Sequence, residues 1–195
     1  MRDNIYIRLG VPVLVVCIVA AAGLAITWSF TADKIEAQAR AAEQRSLKIV
    51  LPEAADFVPV TDAGILGKAG AAAGDVAVAG IFVANDQSGS ALGVGILVAS
   101  RGYGGPMHLA IGVDRNGKVA GVTIVSMAET PGLGSKVVDD PTFLPRFFGL
   151  DSAEAAHKVD TITGATKSSR GVRKGVEAAL AAYKAIGGVE GVSVR

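Results

Sequence analysis

The chain has 195 residues, 50% of them hydrophobic, with a mean hydropathy of +0.44 and a formal net charge of +1. That length accommodates one domain of ordinary size and a small appendage. The balance of 19 basic and 18 acidic residues gives no electrostatic case for nucleic acid, and the single cysteine, Cys17, excludes an intrachain disulfide or a cysteine-based metal site.

The first predicted element is a membrane span. No charged side chain occurs from Leu9 to Ala32, a run of about 24 residues that reaches ~36 Å as a helix, against ~30 Å of hydrocarbon. Pro12 lies near its start, Arg8 is placed to reach the headgroups, and Trp28 falls near the far interface. Ala20-Ala21-Ala22 offers small residues suited to signal cleavage, but the apolar run continues to Phe30, which favours an uncleaved anchor. Arg2 and Arg8 precede the span, while Asp33, Lys34 and Glu36 follow it. This bias predicts a single-pass protein of a bacterial cytoplasmic (inner) membrane, with a cytoplasmic N-terminus and its body on the extracytoplasmic, periplasmic side. Residues 1–32 are therefore read as N-terminus and anchor.

Residues 33–49 mix good helix formers with dispersed charges and predict a helix leaving the bilayer, ended by Pro52. The Ala- and Gly-rich stretch 54–80 yields no assignment, and 33–75 as a whole reads as a membrane-proximal helix and connection. Short β-like runs follow at 76–83, 91–99, 108–113 and 119–125, with turn chemistry between them, notably Asp114-Arg115-Asn116-Gly117. They predict an antiparallel sheet. After Thr166, the residues Val172, Val176, Ala179, Leu180 and Tyr183 recur at helical spacing until Gly187-Gly188. The expected fold class is α+β, with 76–195 as the main domain.

Thr163-Gly164-Ala165-Thr166 stands directly before this last helix. Backbone N–H groups and the positive end of the helix dipole favour an anion such as phosphate there, Gly164 permits close approach, and the Thr166 hydroxyl is able to carry a phosphoester. An ordinary threonine helix cap explains the same residues without a ligand. A nucleotide P-loop does not, because that motif places Gly immediately before Lys and Thr166 occupies the position before Lys167. His108 and His157 are isolated, so neither a metal site nor a catalytic residue is assigned. Tyr103, Met127, Phe143, Phe147 and Phe148 read as core residues. Lys167, Arg170, Arg173 and Lys174 read mainly as a solvated helix face with some potential to assist a phosphate.

Asp160-Thr161-Ile162-Thr163-Gly164-Ala165-Thr166 resembles the Asp-x-x-(Ser/Thr)-Gly-Ala-(Ser/Thr) flavinylation motif. Glu129-Thr130-Pro131-Gly132-Leu133-Gly134 resembles a second signature of the same family. With Gly102-Tyr103-Gly104-Gly105-Pro106, these segments resemble the G subunit of Rnf electron-transport complexes over roughly 76–187. The resemblance implies an FMN-binding domain whose FMN is joined covalently to Thr166 by a phosphoester. It implies a separate flavin transferase that uses FAD and a divalent cation and recognises Asp160, with Thr163, Gly164 and Ala165 forming the rest of its motif. It further implies that Glu129, Thr130, Gly132, Leu133 and Gly134 line the flavin pocket, with Thr130 and Leu133 as polar and apolar contacts. The implied role is that of an electron carrier, one component of a translocase rather than a stand-alone enzyme. It would serve a complex that couples ferredoxin/NAD electron transfer to Na⁺ or H⁺ transport, with the complex's other membrane subunits as partners. Two further readings stay open: the C subunit of the Na⁺-translocating NADH:quinone reductase, and a membrane-anchored non-redox scaffold or sensor.

Overall fold

A 46-residue helix, α1 (Ile5–Val50), opens the computed structural model, which describes residues 5–128 and 134–192. The chain divides into two units, the helix through Ala42 and everything from Glu43 onward. In the first, the apolar side chains face outward, Leu24, Trp28 and Phe30 among them, and the helix is long and apolar enough to cross a membrane. Its hydroxyls suit that solvent. Thr27 Oγ1 donates to Gly23 O (2.9 Å) and Thr31 Oγ1 to Thr27 O (2.8 Å), so neither brings an unmet donor into hydrocarbon. The helix begins before the apolar run, so Pro12 lies inside it and removes a ladder hydrogen bond. The predicted helix at 33–49 is the continuation of this element, and it stops two residues before Pro52.

The second unit is built on a five-stranded antiparallel meander. Its strands are β1 (Asp56–Pro59), β2 (Ala77–Asn85), β3 (Ala91–Arg101), β4 (Pro106–Asp114) and β5 (Val119–Met127). Four correspond to the predicted runs; β1 and helix α2 (Ala63–Ala73) come from the unassigned stretch. Asp62 starts α2 by accepting hydrogen bonds from the amides of Gly64 (2.7 Å) and Ile65 (3.0 Å). Residues 43–75 thus supply a strand and a helix to the sheet unit, as well as a connection. The β4–β5 turn closes through Gly117 N to Asp114 O (3.0 Å) and Asp114 N to Lys118 O (2.8 Å). Only Gly117 takes positive φ there (77°), with Asn116 in an ordinary conformation, as expected of a three-residue loop ending in a left-handed glycine.

The two sheet faces bury different partners. On one, Leu47 and Val50 from the end of α1 pack with Leu51, Ala54, Leu97 and Ala110. Register places Gly112 opposite Gly121, and a Cβ on either would meet Val50 backbone at 2.7 or 2.8 Å. The backbone at Val50, the last residue of α1, therefore lies almost directly on the strands.

The other face carries the main core. Val94, Ile96, Val98, Leu109 and Ile111 meet Val172, Val176, Ala179 and Leu180 of α5 (Thr166–Ala185), each large side chain contributing ~1.5–3 kcal/mol by leaving water. The short helices α3 (Lys136–Asp139), α4 (Ala153–His157) and α6 (Gly188–Val192) flank it. Phe143 and Phe147 are fully buried in an edge-to-face pair with centroids 5.5 Å apart, as core residues should be, while Tyr103 and Phe148 are exposed.

Candidate functional site

The helix start at Thr166 is shaped by its own first turn. Ala165 occupies the cap position and makes no side-chain cap; Thr166 is the first helical residue. Neither Thr163 nor Thr166 caps α5, and the Thr166 hydroxyl makes no hydrogen bond among the described residues. Fully buried Ser169 accepts a hydrogen bond from Ile162 N (3.1 Å) and donates to Ala165 O (2.9 Å), stapling the incoming loop to the helix. Ala165 N bonds Ile162 O (3.0 Å), and Gly164 turns the chain at φ 82°, a conformation that favours glycine. Thr163 and Gly164 are left exposed, with Thr166 half-buried behind them.

Three segments distant in sequence meet here. A cleft of about 280 Å³ is lined by Gly164, Ala165, Thr166, Lys167 and Ser168, by Tyr103, and by Gly134. Tyr103 projects from the tight β3–β4 loop, where Gly102 N bonds Gly105 O (2.9 Å). Lys167 Nζ stands 5.2 Å from the Tyr103 ring centroid, within range of a cation–π attraction. Lys136 Nζ would lie 3.0 Å from a Cβ on Gly164, so the missing side chain lets an ammonium approach the loop. Two ammonium groups and the N-terminal end of α5 thus converge where a phosphate ester on Thr166 would sit.

Among the predicted site residues, the structure brings Gly164, Ala165, Thr166 and Gly134 to one cleft. Thr163 is exposed in the adjoining turn, and Asp160 is exposed outside the lining. Glu129, Thr130, Gly132 and Leu133 lie outside the described residues. Lys136, Tyr103 and Ser169 were not among the predicted site residues. The only signal for Ser169 was a hydroxyl four residues after Ala165, one helical turn away. Arg173, grouped by sequence with Lys167, Arg170 and Lys174, faces elsewhere: it donates to His157 O (2.9 Å) and lies 3.7 Å from Glu177, tying α4 to α5. A larger cleft of about 740 Å³ at the other end of α5 mixes Arg115 and Lys184 with Asp151 and Glu190. The dipole there opposes an anion.

Residues 102–181 match the FMN-binding domain, and residues 1–50 match the RnfG N-terminal region. The G subunit of the Na(+)-translocating ferredoxin:NAD(+) oxidoreductase complex of Acetobacterium woodii is 27% identical, covering 93% of each chain. The G subunit of the ion-translocating oxidoreductase complex of Aliivibrio fischeri is 32% identical, covering 86% of this chain and 85% of that one. A solved structure, NqrC of Shewanella oneidensis, is 25% identical at a TM-score of 0.45, covering 54% of this chain and 58% of that chain. With identity sustained across both the apolar helix and the sheet unit, the chain belongs to the RnfG family, the G subunits of Rnf-type ion-translocating oxidoreductase complexes.

Proposed function

We propose that this chain is the membrane-anchored electron carrier of an Rnf-type complex, holding FMN in phosphoester linkage to Thr166. Membership of the RnfG family with an FMN-binding domain supports the carrier role and the membrane partner subunits. The observation that carries the linkage is the uncommitted hydroxyl of Thr166 at the first position of α5, inside the cleft closed by Tyr103 and Gly134. FMN supplies the redox chemistry when bound. The chain's own residues hold and orient it: the first-turn amides of α5, Lys136 and Lys167 offset the phosphodiester charge, and Gly164 keeps the approach open. Tyr103 offers a flat aromatic face at the rim. Glu129, Thr130, Gly132 and Leu133 complete the pocket in this reading, and Thr163 and Ala165 complete the attachment motif. The complex couples ferredoxin/NAD electron transfer to Na⁺ or H⁺ movement.

Attachment falls to a flavin transferase acting on FAD. Thr166 Oγ1 loses its proton as it bonds to the FMN phosphorus, the pyrophosphate bond breaks, and AMP leaves. Full-length protein co-expressed with such a transferase is expected to give a fluorescent band on a denaturing gel under ultraviolet light; a dark band with active transferase present would sink the linkage. Asp160, exposed and outside the cleft lining, serves the transferase rather than the flavin. Asp160→Asn is therefore expected to melt within a degree or two of the wild type while losing most of the band. Equal fluorescence in the two proteins would remove that role.

In the same reading, residues 1–32 anchor the chain in the cytoplasmic membrane, 33–75 are membrane-proximal and 76–195 hold the flavin. Arg2 and Arg8 keep the N-terminus inside. A phosphatase reporter that is active only outside the cytoplasm, fused after Arg195, is expected to be active; an inactive fusion of full length would reverse the orientation.

A further inference from the structure

We propose that the groove formed by Arg101, Lys167, Arg170 and Lys174 beside the Thr166 cleft docks an acidic face of the redox protein that exchanges electrons with this chain. The inference rests on FMN at Thr166. The groove measures about 450 Å³ and runs from the end of β3 along the first two turns of α5, with Asp75 the lone carboxylate in its wall. Arg101, Arg170, Lys167 and Lys174 are exposed, and none forms an ion pair among the described residues. Arg173 on the same helix is matched to Glu177 instead. Net charge of the chain is only +1, so this concentration of cations is local.

Its placement works against the helix that bears it. Lys167, Arg170 and Lys174 follow one another at three- and four-residue spacing on one face, where like charges repel. Lys167 also sits in the first turn of α5, at its positive dipole end, where a cation is disfavoured. Holding the phosphodiester does not account for them, because Arg170 and Lys174 do not line the Thr166 cleft, whereas Lys136 and Lys167 already stand beside it. The groove is open and its cations are solvated. Such a surface grips a small anion weakly, but it steers a large complementary face into register. Lys167 belongs to both the groove and the cleft, so a partner seated on the groove abuts the Thr166 cleft.

The test uses the assembled complex in membrane vesicles, with the double charge reversal Arg170→Glu and Lys174→Glu in the full chain. Its covalent flavin is expected to equal the wild type's. Turnover at low ionic strength is expected to fall by about tenfold or more, with the gap narrowing as salt screens both proteins. The neutral pair Arg170→Gln and Lys174→Gln should lie between. Wild-type turnover and salt dependence in the reversed variant would overturn the docking site alone. A flavin band that falls in step with turnover would assign the groove to maturation and overturn it equally. A wild type without a band strikes the Thr166 reading itself.

Discussion

Thr166→Val is expected to leave a folded, membrane-inserted chain that carries no covalent flavin. Valine matches threonine in shape and lacks the nucleophilic oxygen, so the variant isolates the hydroxyl. That hydroxyl makes no hydrogen bond among the described residues and caps nothing, so its removal should alter stability by no more than about 0.5 kcal/mol. The loss of in-gel fluorescence should be complete, because no partial bond replaces a missing oxygen. Thr166→Ser restores the oxygen on a freer side chain and is expected to recover part of the band. A threonine important only for folding would give the reverse pattern, with Val lowering the melting temperature and flavin content following stability. Persistent fluorescence in Thr166→Val would move the attachment to another hydroxyl, with Thr163 the nearest candidate in the loop.

Gly171→Val is expected to cause the largest loss of stability, and to take flavin content with it. A Cβ at this position would meet Arg101 O and Met107 Cε at 2.6 Å each. The methionine tip is able to move aside; the strand carbonyl is not. Helix α5 must lift from β3, at a cost of about 2–3 kcal/mol for overpacking of this kind. Thr166 lies five residues earlier, ~1.4 turns along the same rigid element, so lifting the helix separates it from Tyr103 and Gly134 across the cleft. Thermal unfolding of the detergent-solubilised chain and the in-gel band should therefore fall together. Gly67→Ala is the matched control, since a Cβ there meets nothing within 4 Å and alanine favours helix over glycine. A Gly171→Val protein melting as the wild type does would show that the helix adapts without moving.

Much of the architecture was legible because it rests on local periodicity. The uncharged run from Leu9, the short β-like runs between turn residues in β2 to β5 and the apolar stripe of α5 each announce one element from neighbouring residues alone. What stayed unread at 54–80 had its signal diluted. Alanines and glycines carry little amphipathic contrast, and the four residues of β1 are stable only because they pair with β2. The two roles of glycine were similarly mixed. A turn glycine such as Gly117 is recognisable from its neighbours, whereas Gly112, Gly121 and Gly171 are required by atoms of distant elements.

The amino-acid sequence by itself determined the anchor, the fold class and the motif ending at Thr166, because each is a property of contiguous residues. Only the tertiary structure decided what surrounds that threonine. Ser169 ties the incoming loop to the first turn of α5, Lys136 reaches Gly164 from another helix, and Tyr103 arrives from the β3–β4 loop. The same folding separates Arg173, turned toward Glu177, from the cations left facing the groove. The physical reason is the range of the interactions. Helix propensity, turns and membrane partition act over a few neighbouring residues, whereas a binding cleft exists only after chain closure brings side chains more than sixty positions apart, such as Tyr103 and Thr166, to one place.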